Sequence, residues 1–167
     1  MPAYQSSGLW PSLSTDELVA EAGRFISQGF KAMKMPLGLP DPKTDIVRIK
    51  AVRAAIGPGI KLMADANQGL SESQAIRLGR MLEEFDLTWF EEPLSAWDLE
   101  GVARVAAVLD TPIASGETEY TRYGLEFADG DAVVLERPGW GAPSTRITFV
   151  ISADSRRHVA QPAAMQP

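Results

Sequence analysis

Hydrophobic and polar positions alternate in blocks along most of the chain, and the blocks have two different periods. Short runs that are apolar throughout are separated by longer segments in which apolar residues recur every three to four positions. The short runs predict buried strands, and the longer segments predict amphipathic helices. The predicted strands cover residues 30–35, 60–64, 87–90, 113–115 and 132–135, and the predicted helices cover residues 15–28, 43–56, 71–84 and 99–109.

Residues at the ends of the predicted helices support these boundaries. Ser14 and Glu17 form a capping-box pattern at the start of the first helix, and Gly29 is a typical helix-ending residue. Gly57 follows the second helix. Pro36 ends the predicted strand at 30–35. Residues 2–7 are either a first strand or an extended lead-in, and residues 122–127 suit a short helix.

The regular alternation of strands and helices predicts an α/β fold with a parallel sheet. Strands that are apolar on both faces are typical of a parallel sheet covered by helices. The chain has 167 residues, whereas a complete eightfold β/α barrel needs about 250. We therefore predict a partial TIM-type (β/α) barrel of five to six β/α units over residues 1–135. The pattern then stops, and we expect residues 136–167 to form a poorly ordered tail with one candidate strand at 147–151.

Three acidic residues close three of the apolar runs at equal spacing. Glu91 follows Asp65 by 26 residues, and Glu117 follows Glu91 by 26 residues. One strand, one helix and two loops occupy about that length in a parallel repeat, so the three carboxylates are expected at one edge of the sheet. Each acid alone has a structural explanation, such as a turn cap or a solvated strand end. Together they predict a site for a hard divalent cation, for which Mg²⁺ is the natural choice.

Composition excludes several other classes of function. The formal net charge of −6 argues against nucleic-acid binding, and the absence of cysteine excludes disulfides and thiolate sites. The N-terminus has no signal-peptide pattern, and no apolar run approaches the length of a membrane span. We therefore expect a cytoplasmic protein that binds neither nucleic acid nor membrane.

Four segments in register resemble the barrel domain of the enolase superfamily, in its mandelate racemase/muconate lactonizing enzyme branch. The matching text is GFKAMKMPLG at 29–38, DANQ at 65–68, WFEEP at 89–93 and GE at 116–117. The resemblance implies that Asp65, Glu91 and Glu117 bind one Mg²⁺. It also implies removal of a proton α to a carboxylate, with an enediolate that Mg²⁺ stabilises.

The resemblance also suggests roles for residues near the three acids. Lys34 corresponds to the first lysine of a Lys-x-Lys pair and is the candidate catalytic residue, although a lysine head in solvent is the alternative. Asn67 and Glu92 are candidates for supporting the metal ligands, and Arg122 is a candidate for contacting a substrate anion. Trp89 is most simply a core residue.

The sequence also departs from the family pattern. Pro36 stands where many members have the second lysine, which commonly serves as the base, and proline cannot transfer a proton. The histidine that other members use has no recognisable counterpart, since His158 is the only histidine and lies in the tail. The N-terminal capping domain and the last strands of the family are not recognisable either. We expect a gene fragment or a change of reading frame near Leu135.

The resemblance implies a Mg²⁺-dependent lyase similar to an acid-sugar dehydratase, and the departures from the family pattern leave loss of this activity in the shortened chain as an alternative. The substrate would be a small carboxylate such as an acid sugar. One alternative is a racemase or epimerase of a 2-hydroxy acid, and another is a non-catalytic metal-binding remnant. Because an open barrel exposes sheet edges, we also predict self-association, and the resemblance implies homo-oligomers among full-length relatives.

Overall fold

The computed structural model describes residues 4–117 and the backbone of residues 131–136 and 145–151. Within these residues, four helices and six strands follow one another along the chain. The helices are α1 (Thr15–Ser27), α2 (Pro42–Ile56), α3 (Glu72–Leu82) and α4 (Leu99–Val108), and a 3₁₀ turn, Glu83–Phe85, follows α3. The strands are β1 (Ala32–Pro36), β2 (Lys61–Asp65), β3 (Phe90–Glu91), β4 (Ile113–Ser115), β5 (Asp131–Glu136) and β6 (Thr145–Ile151). No helix in the described part of the chain is long and apolar enough to cross a membrane.

The strands form one sheet in the order β1-β2-β3-β4-β6-β5. Strands β1 to β4 are parallel, as the alternation of strands and helices predicts. The lead-in segment extends this series, because Gln5 forms a parallel bridge with Met33. The Gln5 N–H donates to the carbonyl of Ala32 at 3.0 Å, and its carbonyl accepts from the Lys34 N–H at 2.8 Å.

Strands β5 and β6 depart from the predicted parallel series. Strand β5 contains the predicted strand 132–135, but it pairs antiparallel with β6, which in turn pairs antiparallel with β4. Only eight residues, 137–144, connect the two strands, whereas a parallel crossover needs a dozen or more. The predicted α/β fold with a parallel sheet is confirmed, and within the described residues the lead-in at Gln5 and four parallel strands precede an antiparallel pair. The rest of segment 136–167 and the candidate helix 122–127 lie outside the described residues.

Side-chain caps account for where the helices begin. The predicted capping box is present at α1, where the Ser14 N–H donates to Glu17 Oε2 at 2.8 Å and the Glu17 N–H donates to Ser14 Oγ at 3.3 Å. A second capping box, Ser71 with Gln74, starts α3, and Asp41 caps α2. Each cap satisfies N–H groups that have no partner within the helix.

The two faces of the sheet differ in what covers them. The face toward the helices is fully apolar and includes Met33, Met35, Leu62, Ala64, Phe90 and Ile113. The opposite face carries a smaller buried cluster of Met63, Trp89 and Ala114, against which Tyr4 and Ala32 pack. Because side chains alternate along a strand, Lys34, Asp65 and Glu91 share this second face. The candidate site is therefore on the side of the sheet away from the helices.

A buried ion pair holds the loop after β1. The Asp45 carboxylate accepts the N–H groups of residues 38 and 39, both at 2.9 Å, and it pairs with Arg48 at 3.2 Å. Arg48 also donates to the backbone carbonyls of residues 9 and 10 at 3.3 and 3.1 Å. The pair thus links the N-terminal segment to the loop at the carboxyl end of β1, beside the candidate site.

Candidate metal centre

Parallel strand ends bring Asp65, Glu91 and Glu117 together. Asp65 is the last residue of β2 and pairs in register with Glu91, the last residue of β3. Glu117 follows β4 by two residues. One carboxylate oxygen from each of the three residues lies within 4.8 Å of the others. The equal spacing in the sequence therefore corresponds to one cluster in space.

The cluster has the chemistry and nearly the dimensions of a site for a hard cation. Its three ligand atoms are all carboxylate oxygens, which Mg²⁺ and similar ions prefer. Two oxygens bound to one Mg²⁺ at about 2.0–2.1 Å are at most about 4.2 Å apart. The three oxygens lie within 4.8 Å of one another, so their side chains would turn towards one another to bind a single ion, whose adjacent ligands are about 2.9 Å apart.

Lys34 is directed into the same cluster. Its Nζ lies 2.7 Å from Asp65 Oδ2 and 2.7 Å from Glu91 Oε1, and its side chain is 11% exposed. The sequence left open whether Lys34 faces solvent, and the structure places it between two of the three acids. Its ammonium thereby offsets the repulsion between these carboxylates.

Burial and charge shift the pKa values of this group. Burial lowers the pKa of Lys34, but the carboxylates of Glu91 and Asp65 outweigh burial, so that the pKa lies above its usual 10.5. Burial raises the pKa of Glu91, Lys34 opposes the change, and the Asp65 carboxylate adds to it, with a net upward shift. Whether Glu91 is protonated therefore depends on how far the Lys34 ammonium offsets the effects of burial and of the Asp65 carboxylate.

Trp89 is a contact of the site as well as a core residue. Its indole Nε1–H donates to Glu91 Oε2 at 2.8 Å, and its ring packs edge-on against Tyr4 with centroids 5.7 Å apart. The sequence interpretation as simple core missed this hydrogen bond. The available signal was that Trp89 precedes Glu91 by two positions, which places both side chains on one face of a strand.

The two candidate supporting residues contact the site differently. Asn67 is exposed, and its backbone N–H donates to Asp65 Oδ1 at 2.9 Å. Glu92 is 3% exposed, and its carboxylate accepts from the Glu117 N–H at 3.1 Å and from Gln68 Nε2 at 3.0 Å. Sequence reasoning did not single out Gln68, because its partner is 24 residues away and no local pattern links the two.

Strained backbone follows two of the acids. Asn67, Gln68 and Glu92 have φ angles of 46°, 62° and 39°, in the left-handed region that side chains other than glycine rarely adopt. Such conformations persist only where surrounding contacts hold them, and they concentrate at functional sites. The turns after Asp65 and Glu91 are therefore held by specific contacts.

The remaining sequence candidates fall in two groups. Pro36 ends β1 and pairs in register with Asp65, so the residue that replaces the expected lysine lies at the edge of the cluster. Arg122 and His158 lie outside the described residues.

A family model, a related protein sequence and a solved structure all match this chain. Residues 17–133 match the model of a family described as enolase C-terminal domain-like. L-talarate/galactarate dehydratase of Salmonella typhimurium is 44% identical over 114 residues, which are 68% of this chain and 29% of that protein. A racemase structure from Streptomyces coelicolor with bound magnesium has a TM-score of 0.74 at 40% identity and covers 77% of this chain and 36% of that one.

A second solved structure adds a bound sugar acid. L-talarate dehydratase from a Polaromonas species, in complex with Mg and L-glucarate, has a TM-score of 0.70 at 40% identity and covers 72% of this chain and 34% of that one. The chain thus spans about a third of the length of each of these relatives.

Proposed function

Because the chain belongs to the enolase C-terminal domain-like family, we propose that its acidic cluster binds one Mg²⁺ through Asp65, Glu91 and Glu117. We further propose that the site serves removal of a proton α to a substrate carboxylate. The observation that carries this proposal is the convergence of three carboxylates and the Lys34 ammonium at the carboxyl ends of parallel strands. Functional residues of β/α barrels lie at this end.

The chemistry needs positive charge next to the substrate carboxylate. When bound, the metal ion supplies positive charge close to the carboxylate oxygens, on which negative charge develops as the α-proton leaves. Asp65, Glu91 and Glu117 hold that ion, and Trp89 holds one oxygen of Glu91 through its indole N–H. Lys34 adds a second cation at the same place and can orient an anionic substrate.

Lys34 suits electrostatic support better than proton abstraction. Its ammonium forms ion pairs with Asp65 and Glu91. The amine is therefore already protonated and directed towards these two carboxylates. The neighbouring position that could present a base is occupied by Pro36, whose ring accepts no proton. The described residues therefore supply the electrostatic part of the reaction more fully than the proton-transfer part.

A sugar acid is the proposed substrate class, with dehydration as the reaction. The Salmonella and Polaromonas relatives are named as dehydratases of talarate or galactarate, and the latter structure holds L-glucarate. Racemisation or epimerisation of a 2-hydroxy acid is the alternative that the Streptomyces racemase favours. Pro36 favours a third candidate, a metal-binding protein without catalysis.

Thermal melts in Mg²⁺ test the metal site. A ligand that binds only the folded state raises stability by about 2.7 kcal/mol at one hundred times its Kd. We expect Mg²⁺ to raise the Tm of the wild-type chain but not that of Glu91→Gln. The exposed Glu84→Gln is the matched control and should respond as the wild type does. A wild-type Tm that is unchanged by millimolar Mg²⁺ would refute the metal site.

Exchange of the α-proton in deuterated water tests the chemistry. We expect deuterium incorporation into at least one of galactarate, talarate and glucarate when Mg²⁺ is present. Metal binding without exchange would contradict proton abstraction and support the non-catalytic candidate. If the Pro36→Lys variant exchanges the α-proton and the wild type does not, the metal site and Lys34 are functional and only the base is missing.

A further inference from the structure

We propose that Glu92 and Gln68 form a clamp that positions Glu117 relative to Asp65 and Glu91. This inference rests on the metal site proposed above, and it makes Glu92 a positioning residue rather than a ligand. The clamp is defined by the side chains of Glu92 and Gln68 and the hydrogen bonds between and around them.

One buried carboxylate connects the chain after three successive strands. Glu92, which follows β3, accepts the Glu117 N–H through Oε1 at 3.1 Å and Gln68 Nε2 through Oε2 at 3.0 Å. Gln68 follows β2, and Glu117 follows β4. Each oxygen of Glu92 thus has a donor on a different neighbouring strand end. Movement of any one of these ends would break a hydrogen bond to a buried charged acceptor.

Further bonds fix how the amide of Gln68 is oriented. Gln68 Oε1 accepts the Ala96 N–H at 2.9 Å, and the Gln68 N–H donates to the Glu92 carbonyl at 2.7 Å. Because the amide oxygen is engaged by an N–H donor, the amide nitrogen faces the Glu92 carboxylate. The polarity of the clamp is therefore defined, with a neutral donor at position 68 and a charged acceptor at position 92.

The strained turns match this interpretation. Two of the three left-handed residues at the site are Gln68 and Glu92 themselves, with φ angles of 62° and 39°. An unconstrained chain would relax out of this region, so contacts must hold it there. The clamp bonds are contacts of this kind, and they lie within one residue of Glu91 and at the backbone of Glu117.

An exchange of the two side chains tests the clamp without changing net charge. Glu92→Gln replaces one acceptor oxygen by an NH₂ group, and Gln68→Glu sets two carboxylates against each other. In the double variant the amide oxygen at position 92 accepts the Glu117 N–H, and its NH₂ donates to the new carboxylate at position 68. The second oxygen of that carboxylate accepts the Ala96 N–H, so all three side-chain bonds are restored with one of them reversed.

The measurements are the Kd for Mg²⁺ by titration calorimetry and the hydrogen-exchange protection of the Glu117 amide by NMR. Removing partners that orient metal ligands typically weakens metal affinity 10- to 100-fold. We expect each single variant to weaken Mg²⁺ binding at least tenfold and to lose protection at Glu117. The double variant should return to within threefold of wild type on both, and Glu84→Gln should change neither.

Every outcome bears on the clamp. Single variants that keep the wild-type Kd and Glu117 protection, or a double variant no better than either, would overturn it. If the single variants do not fold, the double variant must fold and bind Mg²⁺ within threefold of wild type, and its failure would also overturn the clamp. If the wild-type chain binds no Mg²⁺, the metal site is refuted, and protection at Glu117 alone decides whether the clamp positions that residue.

Discussion

At the scale of single residues, Lys34 determines the charge balance of the acidic cluster. Its ammonium lies 2.7 Å from one oxygen each of Asp65 and Glu91. Breaking a buried ion pair by removing one partner leaves an uncompensated charge, which costs far more than the pair contributes. A metal ion at the same acids would add its charge to that of Lys34.

Lys34→Met should destabilise the metal-free chain strongly. The change keeps the apolar stem but leaves two buried carboxylates facing each other, for which a loss of about 3–5 kcal/mol in unfolding free energy is typical. Mg²⁺ should recover part of this loss because it supplies the missing charge. Urea denaturation with a chelator and with Mg²⁺ measures both effects. The exposed Lys50→Met is the control, for which a change within about 0.5 kcal/mol is expected.

The stabilisation from Lys34 should depend on pH in one direction. Its pKa in the folded chain lies above the usual value of 10.5, so the folded state holds the proton more tightly than the unfolded state. The contribution is then complete below 10.5 and is lost as the pH rises through the folded-state pKa. The difference in unfolding free energy between wild type and Lys34→Met should be constant from about pH 8 to 10 and shrink above that range. A difference that grows with pH would contradict the assignment.

Trp89→Phe should weaken the site through loss of one hydrogen bond, with a further cost from the smaller buried ring. The variant keeps an aromatic ring against Tyr4 but removes the N–H that donates to Glu91 Oε2 at 2.8 Å. A buried acceptor left without its donor costs about 1–3 kcal/mol. We expect a stability loss in that range and a several-fold weaker Kd for Mg²⁺. Trp97→Phe, at a side chain that is almost fully exposed, should change neither; equal effects in both variants would exclude the hydrogen bond as the cause.

The sequence predicted some of these residues and missed others for a physical reason. Even spacing was enough to bring the three acids together, because parallel strands end at a common edge. The direction of Lys34 depends on its partners across two strands, and the Glu92–Gln68 contact joins residues 24 positions apart. Contacts between strand ends are set by register and turn geometry, which no local pattern records.

At the scale of elements, α3 packs closely against the segment after α4. Gly79 is buried in α3, and a Cβ at this position would overlap the side chain of Leu109. Leu109 is itself almost completely buried, so it has little room to move. Glycine in the middle of α3 is therefore required by packing, in spite of its low helix propensity.

Alanine at two helical glycines should change stability in opposite directions. Gly79→Ala forces the core apart near Leu109 and should cost about 1–3 kcal/mol. Gly23→Ala in α1 has no atom within 4 Å of the added Cβ and should gain up to about 1 kcal/mol from helix propensity. Thermal melts of both variants measure the contrast. A gain for Gly79→Ala would show that this helix contact is looser than described.

The sequence predicted the positions of helices and strands better than it predicted the direction of each strand. The capping box at Ser14, the glycines that follow α1 and α2, and the hydrophobic periodicity located α1 to α4 to within a few residues, because these signals are local. The antiparallel pairing of β5 and β6 was not predicted, since strand direction depends on which partner the chain meets and on the length of the connection.

At the scale of the whole molecule, the sheet ends in two edges within the described residues. Strand β5 lies at one end of the sheet, and at the other end β1 is covered by a single bridge to Gln5. Unpaired backbone at a sheet edge is a template for another chain. Trp97 is 89% exposed and adds apolar surface.

We therefore predict that the isolated chain self-associates. Light scattering should give a mass above 18.1 kDa that rises with protein concentration. Trp97→Lys separates the two causes, because pairing of sheet edges should persist in this variant whereas association through the exposed indole should disappear. A monomer at every concentration would contradict the prediction.

The hydrogen bond between Trp89 and Glu91 also has an optical consequence. Trp10 and Trp97 are 50% and 89% exposed, whereas the indole of Trp89 is buried with its N–H on a carboxylate of the acidic cluster. An ion that draws charge away from Glu91 changes the electric field across the Trp89 indole. The emission maximum of Trp89 should then shift as the cluster fills, so that tryptophan fluorescence can follow ion binding in real time without an added dye.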